Sequence, residues 1–313
     1  MSEKRATREA FGATLVELAG EGMDVVVVEA DLSKSTTTAT FEKAYPERFF
    51  NAGIAEQNMI GTASGLAVAG KVAFTGSFAV FATGRAYDQV RNTVCYSSLD
   101  VKLCPTHSGI TVGPDGGSHQ MLEDIALMRV LPGMRVLVPA DARAAASAIR
   151  VAAETPGPFY VRLGRAAVPL VYDEEFVFEL GRAYVLREGT DVTLAACGVM
   201  VERALAAAEM LVAEGISAEV LDVATIKPID VDTVVASVTK TGAVVTCEEH
   251  SIIGGLGSAI AEVLGEHVPA PLRRVGVRDV FGTSGDPEEL MVHFGLTASD
   301  IAAAAREAVA QRL

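Results

Sequence analysis

The sequence predicts an α/β fold made of two open-sheet domains, of which the second is the smaller. One observation is a set of short β-branched runs, such as Val25 to Glu29, which are typical of strands buried on both faces of a parallel sheet. Another is the stretches of helical length between these runs, because alternation of strand and helix indicates an open sheet with helices on both faces. The alternation stops over residues 164–189 and then starts again, which indicates two domains in succession.

The first domain is predicted to span residues 1–170. Its strands are expected at Val25 to Glu29, 71–78, 100–107, 134–141 and 158–164. Its helices are expected at 5–20, about 56–69, 84–97, 120–130 and 141–153. The interruption that follows contains a proline, several acids and several aromatic residues, and we expect a linker over 171–188.

The second domain is predicted to span residues 189–313. Its strands are expected at 191–198, 217–228, 242–250 and 272–279, and its helices at 199–214, 230–239 and 255–266. The pattern is again that of an open α/β sheet.

The composition excludes several classes of function. A net charge of −14, from 26 basic and 40 acidic residues, disfavours nucleic acid and anionic membrane as partners. The four cysteines show no CxxC spacing, so we expect buried, reduced thiols. The charged segment "MSEKRATREAF" lacks the apolar core of a signal peptide, and no apolar run reaches the roughly 18 residues of a membrane span. We therefore expect a cytoplasmic protein.

Several polar residues are expected beyond the carboxyl ends of the strands, where open α/β sheets bind ligands. The loop "PTHSGITVGPDGGSHQ" carries His107, Asp115 and His119 among glycines, which let a ligand approach the backbone. Arg162 ends the strand at 158–164, where a guanidinium can clamp a phosphate. The residues alone leave open an incidental surface loop and a surface arginine paired to an acid.

Other candidates depend more strongly on context. Ser35 lies in a hydroxyl-rich loop, where it can bind an anion or cap a helix, and periodicity makes Arg8 an ordinary surface charge. Phe78 and Phe81 form an F-x-x-F pair, which is more often core than cofactor platform, although their place after a strand suits stacking. Glu56 is an acid in the first turn of a helix, where the dipole favours it, but the dipole does not explain its small and apolar surroundings.

Four motifs in order resemble a known family. They are "FFNAGIAEQNMIGTASGLA", "GSFAVFATGRAYDQVRN", "THSGITVGPDGGSHQ" and "PFYVRLGR". They resemble the pyrimidine-binding domain of thiamine-diphosphate enzymes, and most closely that of transketolase. Residues of about 185–313, with "EEHSIIGGLGSAIAE", resemble the transketolase C-terminal domain.

The resemblance implies a role for several residues at the cofactor. Glu56 matches the catalytic glutamate that hydrogen-bonds N1′ of the aminopyrimidine, a role that needs burial so that water does not compete. Phe78 and Phe81 match the aromatic positions that pack on the pyrimidine, and Asp31 matches an acid near the cofactor at a subunit interface. A third aromatic position of many transketolases is Gly84 here, which leaves the outer edge of the platform undefined.

The resemblance also implies a substrate site. His119 matches a catalytic residue near the donor carbonyl, and Asp115 one near the C2 hydroxyl of the acceptor. The matches to positions that bind the sugar phosphate are Arg8, Ser35, His107 and Arg162. The implied reaction transfers a two-carbon ketol unit from a ketose phosphate to an aldose phosphate.

The family holds the diphosphate and Mg²⁺ in a separate domain with a GDG…N motif, and GDG does not occur in this sequence. The chain therefore resembles one subunit of a split transketolase that holds no metal itself. A partner chain would supply the diphosphate and Mg²⁺ site, in an assembly of two copies of each chain that is active only when complete. The alternatives are a 1-deoxyxylulose-5-phosphate synthase-like enzyme, the beta subunit of a 2-oxo acid dehydrogenase, and a non-catalytic subunit. The pathway, pentose phosphate or a specialised sugar catabolism, stays open.

Overall fold

Two mainly parallel sheets organise the chain, as the sequence predicted. The computed structural model describes residues 3–312. The first sheet has seven strands, which in spatial order begin at residues 225, 135, 159, 101, 72, 25 and 49. The second sheet has five, which in spatial order begin at residues 272, 244, 192, 218 and 184. A two-stranded ribbon joins residues from the two ends of the first domain.

The strand bounds are as follows. The strands of the first sheet and the ribbon are β1 Lys4–Ala6, β2 Val25–Glu29, β3 Phe49–Asn51, β4 Val72–Gly76, β5 Val101–Leu103, β6 Arg135–Leu137, β7 Phe159–Val161, β8 Ala167–Pro169 and β12 Thr225–Lys227. Those of the second sheet are β9 Tyr184–Arg187, β10 Val192–Ala196, β11 Ala218–Asp222, β13 Val244–Ser251 and β14 Leu272–Val277. Every residue of β2 and β10 is buried, because helices cover both faces of these parallel strands.

The α-helices are α1 Glu9–Gly20, α2 Ser33–Thr36, α3 Ala39–Ala44, α4 Glu56–Val68, α5 Tyr87–Gln89, α6 Asp124–Arg129, α7 Ala142–Glu154, α8 Met200–Val212, α9 Val231–Thr241, α10 Leu256–His267, α11 Pro287–His293 and α12 Ala298–Val309. Within residues 3–312, no helix is long and apolar enough to cross a membrane. All four cysteines are buried and free, as predicted.

The segment 217–228 is two strands, where the sequence predicted one. β11 belongs to the second sheet, whereas β12 pairs antiparallel with β6 at the edge of the first. The C-terminal half of the chain therefore completes the sheet of the N-terminal half. One hydrophobic cluster accordingly contains residues of both sheets and their helices, among them Met59, Met128, Ile226 and Ile260.

Two predicted helices differ from the structure. Residues 5–8 are not helical, because β1 pairs with β8 before α1 begins at Glu9. The helix predicted at 84–97 is broken into α5 and two π-helical turns, Val80–Arg85 and Val90–Cys95. Such turns are rare and often lie at functional sites.

Candidate active site

Several of the predicted site residues converge where the strand order reverses in the first sheet. β3 lies on one side of β2 and β4 on the other, so the chain crosses over between them, and open α/β sheets have a ligand crevice at the carboxyl ends of such strands. Asp31 follows β2, Glu56 begins α4 after β3, and Phe78 follows β4. The sheet topology therefore brings residues that are far apart in sequence to one edge.

Four rings form a cluster at this edge. Phe78 and Phe81 are near parallel, with centroids 6.0 Å apart and an interplanar angle of 15°. The His107 ring stacks on Phe78 at 3.8 Å, and His119 meets the edge of Phe81 at 5.5 Å. Phe78 is 7% exposed and Phe81 is partly exposed, so one ring is anchored in the core and the other borders the crevice. Rings in this arrangement offer apolar faces to a flat heterocycle.

Glu56 is 1% exposed, although it is the first residue of α4. Its Oε2 accepts a hydrogen bond of 2.7 Å from Nη1 of Arg85, and the Arg85 guanidinium lies 4.6 Å from the centre of the Phe81 ring. The buried carboxylate and the aromatic rings are thus connected through one side chain that the sequence analysis did not select. Local patterns do not reveal this pair, because Glu56 and Arg85 are 29 positions apart in the sequence.

His107 is held neutral. Burial, together with the positive charges of Arg8 and Arg165 and the neighbouring His119, lowers the pKa of His107 to about 3. Its Nδ1 lies 2.7 Å from Oγ1 of Thr106. Its backbone has a φ of 60°, a region that non-glycine residues rarely adopt and that is often retained at functional sites. His107 can therefore exchange hydrogen bonds with a ligand without adding a charge near neutral pH.

A basic group lies beside His107. Nη1 of Arg8 donates to the backbone carbonyl of Ser35 at 2.6 Å, which ties the start of α1 to the hydroxyl-rich loop. Nε of Arg8 is buried without a hydrogen-bond partner. Burial and the nearby charge of Arg165 lower the pKa of Arg8, as expected for two cations held close together. Such a pair, with one unsatisfied donor, is suited to an anion.

Arg162 lies apart from this basic group, and its role at the sugar phosphate stays a prediction. It is 7% exposed and pairs with Asp124 through Nε at 2.7 Å and Nη2 at 3.2 Å. Nη2 also donates to the carbonyls of Met121 and Glu249, so the fork of Arg162 is committed to a buried network between the two halves. Arg165, three residues further on, is the arginine near Arg8 and His107, and the sequence analysis missed it.

Asp31 and Asp115 lie at the exposed rim. Asp31 has a φ of 66°, and its backbone N–H donates to the side chain of Asn51. Asp115 ends the 3₁₀ segment Ile110–Asp115 in the loop between His107 and His119. Neither is part of the ring cluster or of the basic group, and their assignment stays a prediction.

Two further carboxylates, which the sequence analysis did not select, hold the site loops in place. Glu29, at the end of β2, accepts from the hydroxyls of Thr36 and Thr38 and from two backbone N–H groups, and so fixes the loop that carries Ser35. Burial raises the pKa of Glu29, although these hydrogen bonds oppose the shift. The sequence signal that could have identified Glu29 is an acid at the end of a β-branched strand.

Glu249, in β13 of the second sheet, accepts from the backbone N–H of Thr111 at 2.6 Å. A Cβ at Gly109 would lie 2.2 Å from the Glu249 carboxyl carbon, and Gly109 has a φ of 76°. Glycine is therefore required where the histidine loop presses on the C-terminal half.

The chemistry of this donor set fits the pyrimidine half of thiamine diphosphate. A buried carboxylate beside two near-parallel rings suits a flat heterocycle that carries N–H donors. Across residues 3–312, no group of three or more His, Cys, Asp or Glu side chains is placed to hold a metal ion.

Both halves of the chain match models of known protein families. Residues 3–171 match the family model described as transketolase, pyrimidine binding domain, and residues 181–301 match transketolase, C-terminal domain. A putative transketolase C-terminal section of Methanocaldococcus jannaschii is 50% identical over 95% of this chain and 94% of its own length. The 6-deoxy-6-sulfo-D-fructose transketolase subunit SqwH of Clostridium sp. is 47% identical over 97% of this chain and 95% of its own length.

A solved structure described as an inactive beta4 tetramer of a split gene transketolase superposes with a TM-score of 0.92. Its sequence is 53% identical to this one, and the superposition covers 99% of this chain and 100% of that chain. Because both halves of the chain match transketolase domains in the same order, the protein belongs to the transketolase family.

Proposed function

We propose that this chain is the C-terminal subunit of a split, thiamine-diphosphate-dependent transketolase. The enzyme would transfer a two-carbon ketol unit from a ketose phosphate to an aldose phosphate. The observation that carries the proposal is the buried carboxylate of Glu56, 1% exposed, which Arg85 connects to the near-parallel rings of Phe78 and Phe81. A buried carboxylate needs a hydrogen-bond donor, and the aminopyrimidine would supply one when Arg85 leaves.

In this proposal the cofactor, when bound, supplies the electron sink for cleavage of the ketose carbon–carbon bond. Glu56 binds N1′ of the aminopyrimidine and, shielded from water, controls where the ring holds its proton. Phe78 and Phe81 pack on the ring, and Asp31 lies near the cofactor at the edge of the crevice. His119 exchanges hydrogen bonds with the donor sugar and Asp115 with the acceptor.

The sugar phosphate is assigned to the basic group. Arg8 and Arg165 lie close together beside His107, and the loop of Ser35 is tied to Arg8. These cations and donors come from four separate segments of the chain, which suits an anion at the mouth of the crevice. Arg165 takes the place that the sequence analysis gave to Arg162.

A partner chain is part of the proposal. Two relatives that match this chain over 94% and 95% of their own lengths are named as a transketolase section and a transketolase subunit. We propose that a second polypeptide holds the diphosphate and Mg²⁺, and that two copies of each chain form the active enzyme.

The test is to mix the purified chain with a candidate partner that carries a GDG…N motif, thiamine diphosphate and Mg²⁺, and to measure ketol transfer between sugar phosphates. We expect activity only in the complete mixture. Activity with a 2-oxo acid donor and none with a ketose phosphate would favour the synthase or dehydrogenase alternative. A mixture that forms the complex but transfers nothing would favour a non-catalytic subunit.

A further inference from the structure

Arg85 makes the two contacts that the proposed function assigns to the aminopyrimidine. Its Nη1 donates to Oε2 of Glu56 at 2.7 Å. Its guanidinium carbon lies 4.6 Å from the centre of the Phe81 ring. The bound pyrimidine would likewise be a flat group that donates to Glu56 and covers Phe81, so Arg85 and the cofactor would share both partners.

The local backbone brings Arg85 to this position. Arg85 is the last residue of the π-helical turn Val80–Arg85, whose i→i+5 pattern appears in the bond from Ala86 N to the Phe81 carbonyl, 3.3 Å long. Nε2 of Gln57, in the first turn of α4, donates to the Arg85 carbonyl at 3.3 Å. The turn is thereby fixed beside the helix that starts with Glu56.

Gly84 adds no side chain to the turn that carries Phe81 and Arg85. A Cβ at Gly84 would meet no atom within 4 Å outside its own turn, so this position is open. The first side chain beyond Phe81 that reaches back over the ring is that of Arg85. A planar cation thus lies at the edge of the platform that the sequence left undefined.

The two partners differ in their freedom to move. The Glu56 side chain is 2% exposed, whereas that of Arg85 is 48% exposed. The Arg85 guanidinium can therefore be taken up by solvent when it leaves Glu56, because about half of its side chain is already exposed. Glu56 has no such freedom, and a departing Arg85 needs to be replaced by another donor.

We propose that Arg85 is an internal competitor for the pyrimidine of the cofactor. This inference rests on the proposed function. Arg85 satisfies Glu56 and covers Phe81 until the pyrimidine displaces it, so that every binding event includes the cost of breaking the Arg85–Glu56 pair. Arg85 is then a residue that sets cofactor affinity, through Glu56.

The experiment is an NMR titration of the full chain with 4-amino-5-hydroxymethyl-2-methylpyrimidine, which is neutral and lacks the diphosphate. We expect Arg85→Ala to bind this probe about fivefold more tightly than the unchanged chain, or more. Arg91→Ala, an exposed arginine on the neighbouring π-helical turn, is the matched control and is expected to bind as the unchanged chain does. The guanidinium signal of Arg85 is expected to shift as the probe binds.

Salt provides an independent readout. Added salt screens the Arg85–Glu56 pair, so the affinity of the unchanged chain for the neutral probe should rise with ionic strength, and that of Arg85→Ala should not. Equal or weaker binding by Arg85→Ala would overturn the inference while the pyrimidine site stands. If the probe binds neither the unchanged chain nor Arg85→Ala, the pyrimidine site of the proposed function falls, and the inference with it.

Discussion

At the scale of single residues, the carboxylate of Glu56 carries the proposed chemistry. Glu56→Gln keeps the shape of the side chain but removes the ionisable carboxyl, so the side chain can no longer exchange a proton with N1′. We expect ketol transfer by the assembled enzyme to fall by about 10²- to 10⁴-fold, the range for a lost acid–base function. The measurement is kcat in the complete mixture, with assembly checked by sedimentation.

A control separates this effect from a packing defect. Glu47→Gln changes an exposed acid in the segment before β3 and is expected to leave kcat unchanged. Full activity of Glu56→Gln in a complete mixture would contradict the proposed mechanism.

Arg162 and Arg165 are expected to respond differently to the same truncation. Arg165→Ala removes a cation beside Arg8 and His107, and we expect KM for phosphorylated sugars to rise about tenfold or more with little change in thermal stability. Arg162→Ala leaves Asp124 buried without its cation, and we expect a loss of about 3–5 kcal/mol in the free energy of unfolding. The measurements are KM with phosphorylated and unphosphorylated sugars, and chemical denaturation of each variant.

The opposite result is also informative. A stable Arg162→Ala variant that had lost only its preference for phosphorylated sugars would restore the assignment made from the sequence. The two arginines end the same predicted strand region, and local pattern gives no basis to choose between them. The choice depends on Asp124 and Glu249, which come from elsewhere in the chain.

At the scale of elements, the sequence predicted the buried strands and missed the edges. β2 and β4 carry β-branched or apolar runs that both faces of the sheet require, whereas β3 is three partly or fully exposed residues at an edge and shows no periodic signal. The exchange of β12 into the first sheet depends on pairing with β6, about ninety residues earlier. Pairing between strands so far apart cannot be predicted from the residues around either strand alone.

The candidate site shows the same division. Ring and histidine positions follow strand ends and were predictable from topology together with the motifs. The Arg85–Glu56 pair and the anchoring of the histidine loop by Glu249 were not, because each joins residues from different elements. The π-helical turn that places Arg85 is a departure from helical period that composition alone does not reveal.

Asp222, at the end of β11, makes the junction of elements sensitive to pH. It is fully buried, its Oδ2 accepts from the hydroxyl of Tyr172 at 2.7 Å, and its Oδ1 is buried without a partner. Burial raises the pKa of Asp222 to about 7, with the Tyr172 hydrogen bond opposing the shift and the charge of Asp141 adding to it. The folded protein therefore favours the protonated acid.

The sign of the effect follows from this raised pKa. The stabilisation is fully present below pH about 4, where the unfolded chain is also protonated, and it is lost as pH rises through about 7. We expect Asp222→Asn to flatten this dependence and to be more stable than the unchanged chain at pH 8, by up to about 4 kcal/mol. Chemical denaturation between pH 5 and 8 measures it.

Glu175→Gln serves as the control, because it changes an exposed acid to an amide in the linker region that carries Tyr172. The stability of this variant is expected to follow that of the unchanged chain at every pH. An Asp222→Asn variant with the pH dependence of the unchanged chain would show that this carboxyl is ionised in the folded protein.

At the scale of the whole molecule, an acidic chain gathers cations at one place. The net charge is −14, yet the positive charges of Arg8 and Arg165 both act on a neutral His107. Loops from both halves are needed for this arrangement, because Glu249 of the second sheet holds the histidine loop of the first domain. Two cations beside a neutral histidine favour local capture of a small anion by a molecule that is acidic as a whole.

Ile54 connects the crevice to the proposed partner chain. It lies two residues before Glu56, and 78% of it is exposed, so a partner surface that covered it would gain the burial of a large apolar side chain. If the partner supplies the diphosphate half of the cofactor, it needs to approach the pyrimidine half at this edge. We predict that Ile54→Arg prevents assembly with the partner chain and leaves the fold intact, as measured by sedimentation and circular dichroism.

Val292→Arg is the matched control, since Val292 is also apolar and 67% exposed but lies on α11, a helix of the C-terminal half. We expect Val292→Arg to assemble and to transfer ketol units as the unchanged chain does. The comparison separates burial at the crevice from a general effect of a new surface charge, because both variants add the same cation to an acidic molecule. An Ile54→Arg chain that bound the partner with unchanged affinity would place the partner interface away from the carboxyl edge of the first sheet, and the cofactor could then not bridge the two chains at Glu56.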